Sequence, residues 1–208
     1  MGNSIKLGIM GGTFDPIHTG HLIVAEMARQ QFSLDKVVFI PAGIPPHKTS
    51  KELAQSGDRL EMVRLAVCDN PFFDVSKCEI NRDKVAYTVD TLSELKFTYP
   101  ESTEFYFIIG VDSLFEIKGW KNPAKLFAMC NILVYGRPGF DEERASDEAQ
   151  SLRTDFNAGI EFVKGPIIDI SSTLIREMIM SNMSIKYIVP DSVEEYIRKN
   201  CIYRKKLK

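Results

Sequence analysis

The sequence predicts an α/β fold in which helices cover both faces of a doubly wound parallel sheet. Short apolar runs alternate along the chain with longer segments of helical periodicity, which is the pattern of β-α-β units. Most of these runs are apolar throughout, as strands buried on both faces of a parallel sheet are. We expect one domain, residues 1–208, with a small C-terminal helical part from about residue 170.

Three strands and three helices are expected in the first half of the chain. Residues 5–10 form a compact, mostly apolar run that ends at two glycines, and residues 36–41 are β-branched. Residues 72–80 are also strand-like. Apolar residues recur at helical spacing in the segments that follow these runs. The expected helices are 19 to about 32, 58–68 and 88–97.

The second half continues the alternation. Residues 104–110 and 131–136 are apolar strands, and a weak strand is expected at 161–163. The polar segment 141–156 is either a solvated helix or a mobile excursion. Three more helix N-termini are predicted, one by a proline near its start and two by Ser or Asp at the first position. These helices are 123–129, 171–180 and 191–200, the last capped by Asp191 or Ser192.

Composition and charge exclude several classes of function. The net charge is −2, so no overall field would draw the protein to nucleic acid or to an acidic membrane. No run approaches the roughly 20 apolar residues of a membrane span, and the apolar run 7–10 is too short for an export signal. The four cysteines are scattered without a CxxC pair, as reduced thiols of a cytoplasmic protein would be. The sequence leaves open whether the chain forms a homo-oligomer.

The stretch GGTFDPIHTGH, residues 11–21, is a candidate anion site. Gly11 and Gly12 follow the first expected strand, and ligands of open α/β sheets lie outside the carboxyl ends of the strands. Glycines let backbone N–H groups approach an anion closely. The helix that begins near Thr19 adds the positive end of its dipole. Position and chemistry predict a phosphate site, although a Gly-Gly turn alone is often only structural.

Two histidines in this stretch sharpen the prediction. His18 and His21 lie at positions i and i+3 and therefore share one face of the first helical turn. Each can donate a hydrogen bond to a phosphate oxygen, more strongly if it is protonated, and the pair can stabilise charge on a leaving group. The alternatives are ordinary helix-start residues or metal ligands, for which Asp15 is the only acid nearby. We interpret Asp15 mainly as a turn residue beside Pro16.

The same stretch resembles a known signature. GGTFDPIHTGH is similar to that of the nucleotidyltransferases with a (H/T)xGH motif, here HTGH at residues 18–21. ISSTLIR, residues 170–176, resembles the second signature of that superfamily, ISSTxIR. The order and the wide separation of the two motifs also match. The resemblance implies a Rossmann-like fold and a shared site for a nucleotide polyphosphate.

Within the superfamily, the chain resembles the bacterial nicotinate-nucleotide adenylyltransferases over nearly its whole length. The resemblance implies that the phosphate of nicotinate mononucleotide attacks the α-phosphorus of ATP and releases pyrophosphate, a step of NAD biosynthesis. Magnesium (Mg2+) would bridge the ATP phosphates and keep mostly water ligands, so no dedicated metal site is expected. Four further stretches carry the match: IPPHK (44–48), AYTVDTL (86–92), GVDSLFEIKGW (110–120) and GRPGF (136–140).

The resemblance also assigns roles. His18, His21 and Arg176 are the expected catalytic residues, and Arg176 can fork onto phosphate oxygens. The Trp120 ring is expected to stack on the pyridine, and the backbone near Thr88 to bind the pyridine carboxylate and reject an amide. Lys48 is expected to pair with a substrate phosphate. The expected ATP-binding residues are Gly11, Gly12, Thr13, Phe14, His18, His21, Asp112, Arg137, Ser171, Ser172, Thr173 and Arg176.

Each residue also has an ordinary structural interpretation. Asp112 is either a ribose ligand or a helix cap, and Arg137 lies either against the adenine or in a surface turn. Thr88 and the serines before Arg176 are common N-cap residues, and Trp120 has the core as its alternative place. The function has alternatives as well. These are adenylyl transfer to nicotinamide mononucleotide or to phosphopantetheine, and a nucleotide-binding regulator without turnover.

Overall fold

Six parallel strands form the central sheet of the described structure. The computed structural model describes residues 4–44, 53–166 and 168–204. The strands are β1 Lys6–Gly12, β2 Lys36–Pro41, β3 Phe73–Val75, β4 Glu104–Gly110, β5 Asn131–Tyr135 and β6 Ile160–Val163. Their order is β3-β2-β1-β4-β5-β6. Ile9 of β1, for example, lies opposite Val38 of β2 and Phe107 of β4. The parallel sheet expected from the sequence is confirmed.

Helices follow the strands along the chain. They are α1 Thr19–Gln31, α2 Ser56–Val67, α3 Thr88–Thr98, α4 Val111–Glu116, α5 Pro123–Phe127, α6 Glu142–Phe156, α7 Ser172–Met180 and α8 Asp191–Lys199, with a 3₁₀ turn at Ile117–Gly119. The helix α4 has no counterpart among the expected elements, because six residues are too few for a helical periodicity to show. Within the described ranges, no helix is both long and apolar enough to cross a membrane.

The polar segment after β5 is a helix that packs on the sheet. The carboxylate of Asp141 accepts a hydrogen bond from the backbone N–H of Arg144 over 3.0 Å and so caps α6. Ala145, Ala149 and Leu152 are fully buried and belong to the core on that face of the sheet. Their spacing places them on one side of the helix. The helical interpretation of this segment is therefore correct, and the mobile excursion is wrong.

Two details of the expected elements are wrong. The third strand covers only Phe73–Val75, not residues 72–80, because this edge strand pairs with β2 over three residues and then turns away. Neither Asp191 nor Ser192 caps α8. Pro190 occupies the cap position without a side-chain hydrogen bond, and the Ser192 hydroxyl instead donates to a backbone carbonyl of α2.

Apolar clusters cover both faces of the sheet. One contains buried residues of α3, α4, α5 and α6, and the other contains buried residues of α1, α2, α7 and α8. The sheet is therefore doubly wound, as the sequence predicts. The strand order reverses between β1 and β4. At such a reversal the flanking connections leave toward opposite faces, which opens a cleft at the carboxyl ends of the strands.

Candidate active site

A cavity of about 710 Å³ lies beside the start of α1 and the carboxyl ends of β5 and β6. Its wall contains His18 and His21 from the start of α1, Arg137 from the turn after β5, and residues 171–173 from the start of α7. These segments are far apart in the sequence. The structure thus brings the two motif segments to one cavity, as the sequence predicts.

The two histidines form a stacked pair. His18 occupies the N-cap position of α1, where its backbone N–H donates to Nδ1 of His21 over 3.2 Å. The ring centroids are 3.7 Å apart and the interplanar angle is 27°. Because Nδ1 of His21 accepts this hydrogen bond, the neutral His21 ring carries its proton on Nε2. His21 therefore offers one fixed donor, Nε2–H.

Both imidazole rings are neutral at neutral pH. Burial, and after it the positive charge of Arg137, lowers the pKa of His18 to about 4. Burial is also the main cause that lowers the pKa of His21, followed by His18 and Arg137. The sequence left open whether the histidines are protonated, and in this structure they are not. Any hydrogen bond that either ring donates in this state comes from a neutral imidazole.

The side chain of Phe14 supports His21. Its ring is 3% exposed and meets the His21 ring edge-on, with the centroids 5.1 Å apart. The φ of Phe14 is 48°, in the left-handed region. A Cβ atom at Gly12 would lie 3.1 Å from the Phe14 ring and would press on it, so this close packing favours a glycine. A Cβ atom at Gly11 would lie 3.4 Å from another ring, an ordinary contact.

The helix α7 binds the loop between β1 and α1 through backbone oxygens. The Ser172 hydroxyl donates to the carbonyl of Pro16 over 2.8 Å. Nη1 of Arg176 donates to the carbonyl of Asp15 over 2.8 Å, and Nη2 donates to Oγ1 of Thr173 over 3.2 Å. Arg176 is not part of the cavity wall. Ser172 and Arg176 thus connect α7 to the loop between β1 and α1. A direct contact of Arg176 with phosphate stays a prediction.

The start of α7 retains donors for an anion. Ser171 is the N-cap, and its hydroxyl accepts a hydrogen bond from the backbone N–H of Leu174 over 3.1 Å. The cap interpretation is therefore correct for Ser171. The backbone N–H groups of Ser172 and Thr173 have no partner within the helix, and the helix dipole favours negative charge at this end. Capping and anion binding are compatible here.

A buried arginine that the sequence did not mark fixes the same loop from α2. Arg59 is only 2% exposed. Its guanidinium donates to the carbonyl oxygens of Thr13, Gly43 and Ala54 over 2.7, 3.0 and 3.3 Å. Burial lowers the pKa of Arg59, although a guanidinium stays charged in proteins. No pattern distinguishes this residue, since most arginines of a helix lie on the surface.

A second group of expected site residues lies outside the cavity, between α3 and the 3₁₀ turn. The ammonium of Lys121 is 2.8 Å from Oδ2 of Asp90 in the first turn of α3. The pair places Lys121, and with it the neighbouring Trp120, near the N-terminus of α3, where Thr88 is the first helical residue. Thr88 is not the cap, because the cap position belongs to Tyr87 and has no side-chain hydrogen bond.

The Trp120 ring is half-buried at the edge of the core. It meets the Phe107 ring edge-on, with the centroids 6.3 Å apart. The core interpretation is thus correct in part, and exposed ring surface remains for stacking. The stacking itself stays a prediction.

Asp112 and Arg137 pair with one another across the ends of β4 and β5. Oδ2 of Asp112 lies 3.0 Å from Nη1 of Arg137, and both side chains are more than half exposed. Asp112 is the second residue of α4 and not its cap. Exposed ion pairs contribute little free energy, so a ligand can separate these groups at low cost. Lys48 lies outside the described residues.

Residues 9–178 match the model of the cytidylyltransferase-like family. The chain belongs to this family. It is 46% identical to the "Probable nicotinate-nucleotide adenylyltransferase" of Thermoanaerobacter sp. (strain X514), over 99% of this chain and 97% of the relative. The identity to the protein of the same name from Moorella thermoacetica is 43%, over 97% of this chain and 93% of the relative. The family match includes both motif segments.

The fold of this cytidylyltransferase-like protein also occurs in a solved structure. It is similar to the Plasmodium falciparum nicotinic acid mononucleotide adenylyltransferase complexed with NaAD, with a TM-score of 0.77. The alignment covers 96% of this chain and 97% of that chain at 20% identity. At this identity the likeness is evidence for the fold alone.

A dedicated metal site in the described part of the cytidylyltransferase-like chain would need a cluster of ligating side chains. Among the residues that the structure describes, no group of three or more His, Cys, Asp or Glu side chains lies together. Asp15 is engaged: Oδ1 accepts from the backbone N–H of Ala54 and from the Tyr203 hydroxyl, and Oδ2 is 3.6 Å from Arg176. These contacts show Asp15 fixing the loop, and a role of Asp15 beside a metal stays a prediction.

Proposed function

We propose that the protein is a nicotinate-nucleotide adenylyltransferase, which joins ATP and nicotinate mononucleotide to give deamido-NAD and pyrophosphate. The observation that carries the proposal is the meeting of His18, His21 and residues 171–173 at one cavity. The names of the relatives at 46% and 43% identity support the same reaction. The neighbour of the same fold complexed with NaAD is consistent with it.

The triphosphate of ATP lies between the starts of α1 and α7 in this proposal. The neutral Nε2–H of His21 and the first-turn N–H groups of α7 donate to phosphate oxygens, and both helix dipoles favour the negative charge. Arg137 adds a cation at the cavity wall. Because these groups are fixed before the ligand arrives, they stabilise developing charge without reorganisation.

The chemical step is a direct displacement. An oxygen of the acceptor phosphate forms a bond to the α-phosphorus of ATP, and the bond from that phosphorus to the bridging oxygen breaks. The bonding electron pair leaves with pyrophosphate. No covalent enzyme intermediate is required, since positioning and charge stabilisation account for most catalysis of phosphoryl and nucleotidyl transfer. ATP enters as its magnesium complex, and the ion would neutralise part of the phosphate charge.

The acceptor lies between α3 and the 3₁₀ turn. Trp120 stacks on the electron-poor pyridine, and the N–H groups at the start of α3, around Thr88, bind the carboxylate. An amide would direct its own donors at these donors, which disfavours nicotinamide mononucleotide. Asp112 leaves Arg137 to bind a ribose, and Lys48 pairs with the acceptor phosphate. We expect this ATP-consuming enzyme in the cytoplasm.

Pyrophosphate release tests the function directly. The purified protein is assayed with magnesium, ATP and one acceptor at a time: nicotinate mononucleotide, nicotinamide mononucleotide or phosphopantetheine. The proposal expects the largest kcat/KM with nicotinate mononucleotide. Faster release with either other acceptor would assign that activity instead. No release with any acceptor, together with tight binding of an ATP analogue, would favour the regulator.

A further inference from the structure

The turn that follows α8 reaches back to the loop that carries the histidines. The Tyr203 hydroxyl donates to Oδ1 of Asp15 over 2.7 Å, and Asp15 is only 1% exposed. Burial and the neighbouring Asp15 raise the pKa of Tyr203, so its hydroxyl remains a donor. The φ of Tyr203 is 65°. Bulky residues rarely adopt this left-handed conformation, and contacts such as this one must compensate for its cost.

Asp15 is the centre of a set of contacts that fix this loop. Oδ1 also accepts from the backbone N–H of Ala54 over 3.1 Å, and Oδ2 lies 3.6 Å from Nη1 of Arg176. The same Arg176 nitrogen donates to the backbone carbonyl of Asp15 over 2.8 Å. The orientation of one carboxylate therefore helps to set both the loop before His18 and the side chain of Arg176.

We infer that Tyr203 is a positioning residue for the proposed adenylyl transfer. Its hydroxyl orients the Asp15 carboxylate, and Asp15 holds Arg176 and the loop so that the histidine pair and the start of α7 face one triphosphate. This inference rests on the proposed function. A small displacement of catalytic groups impairs the transition state more than it impairs ground-state binding. Loss of the hydroxyl therefore lowers kcat and leaves KM nearly unchanged.

A matched tyrosine separates positioning from simple anchoring of the C-terminal part. The Tyr196 hydroxyl donates to Oδ1 of Asp58 over 2.9 Å and so joins α8 to α2. This is the same chemistry in the same part of the chain, but the hydrogen bond joins two helices and does not involve the loop between β1 and α1. Tyr203→Phe and Tyr196→Phe remove one hydroxyl each and leave the rings in place.

Steady-state kinetics with ATP and nicotinate mononucleotide test the inference, with circular dichroism to verify that both variants are folded. We expect Tyr203→Phe to lower kcat by about 10- to 100-fold with less than about a threefold change in either KM. Tyr196→Phe is expected to keep kcat within about twofold of the wild type. An unchanged kcat in Tyr203→Phe, or an equal fall in both variants, would overturn the inference.

Hydrogen exchange of the backbone amides of residues 13–21 gives a readout that does not depend on turnover. Exchange is expected to be faster in Tyr203→Phe than in the wild type or in Tyr196→Phe, and equal exchange in all three overturns the inference. If the wild type releases no pyrophosphate, the proposed function fails while the exchange comparison still decides the positioning. Asp15→Asn covers the case in which Tyr203→Phe does not fold. It keeps the side-chain shape, and an unchanged kcat in this variant counts against the inference.

Discussion

Replacing Arg59 by methionine removes a buried guanidinium and keeps most of the apolar stem. Three carbonyl oxygens, of Thr13, Gly43 and Ala54, then lose a charged donor. A hydrogen bond to a charged group contributes about 1.5–3 kcal/mol, but the burial of the guanidinium offsets part of this gain. We therefore expect the free energy of unfolding to fall by about 3–5 kcal/mol, a large part of the stability of a typical domain.

Urea denaturation with a control on the same helix measures this loss. Arg64 lies on the exposed side of α2, and Arg64→Met is expected to change the free energy of unfolding by less than about 0.5 kcal/mol. In a thermal melt, Arg59→Met is expected to lower Tm by about 6–20 °C, since 1 kcal/mol corresponds to about 2–4 °C at this size. A loss below about 1 kcal/mol, or equal losses in both variants, would refute the assigned role of Arg59.

Three further predictions concern the site. The depressed pKa of His18, about 4, means that the unfolded chain binds a proton more readily than the folded protein does. The free energy of unfolding therefore falls by about 3 kcal/mol as the pH falls from 6.5 to 4. Urea titrations at several pH values are expected to show a weaker pH dependence in His18→Gln, and parallel curves for the two proteins would contradict the prediction. Gly12→Ala is expected to destabilise by about 1–3 kcal/mol through the clash with a buried ring, whereas Gly57→Ala, which meets no atom within 4 Å, is neutral or slightly stabilising. Trp120→Ala is expected to raise KM for nicotinate mononucleotide about tenfold and to leave KM for ATP unchanged. Phe97→Ala, which removes a ring that is 93% exposed, serves as the control. Equal changes of KM for nicotinate mononucleotide in the two variants would refute stacking.

Much of the fold follows from local patterns. The strands Lys36–Pro41 and Glu104–Gly110 have the expected bounds, because a continuous apolar run can be buried only between two helical layers. The convergence of the two motifs follows from the same geometry. Both motifs lie at starts of helices that follow strands, and in a parallel sheet these positions meet at one edge.

Long-range contacts account for what the sequence did not reveal. Arg59 and Tyr203 act through partners that are distant in the chain, and a lone arginine in a helix or a tyrosine near the C-terminus has no local signal. The protonation of the histidines depends on burial, which the spacing of His18 and His21 does not encode. Phe14 belongs to the right segment, but its side chain packs behind His21.

A crystal structure of the protein with magnesium and a non-hydrolysable ATP analogue tests most directly whether both motif segments bind one triphosphate. We expect phosphate oxygens within hydrogen-bond distance of Nε2 of His21 and of the backbone N–H groups of Ser172 and Thr173 in the same complex. A triphosphate bound outside the cavity, or one in contact with only one of the two segments, would contradict the proposed active site.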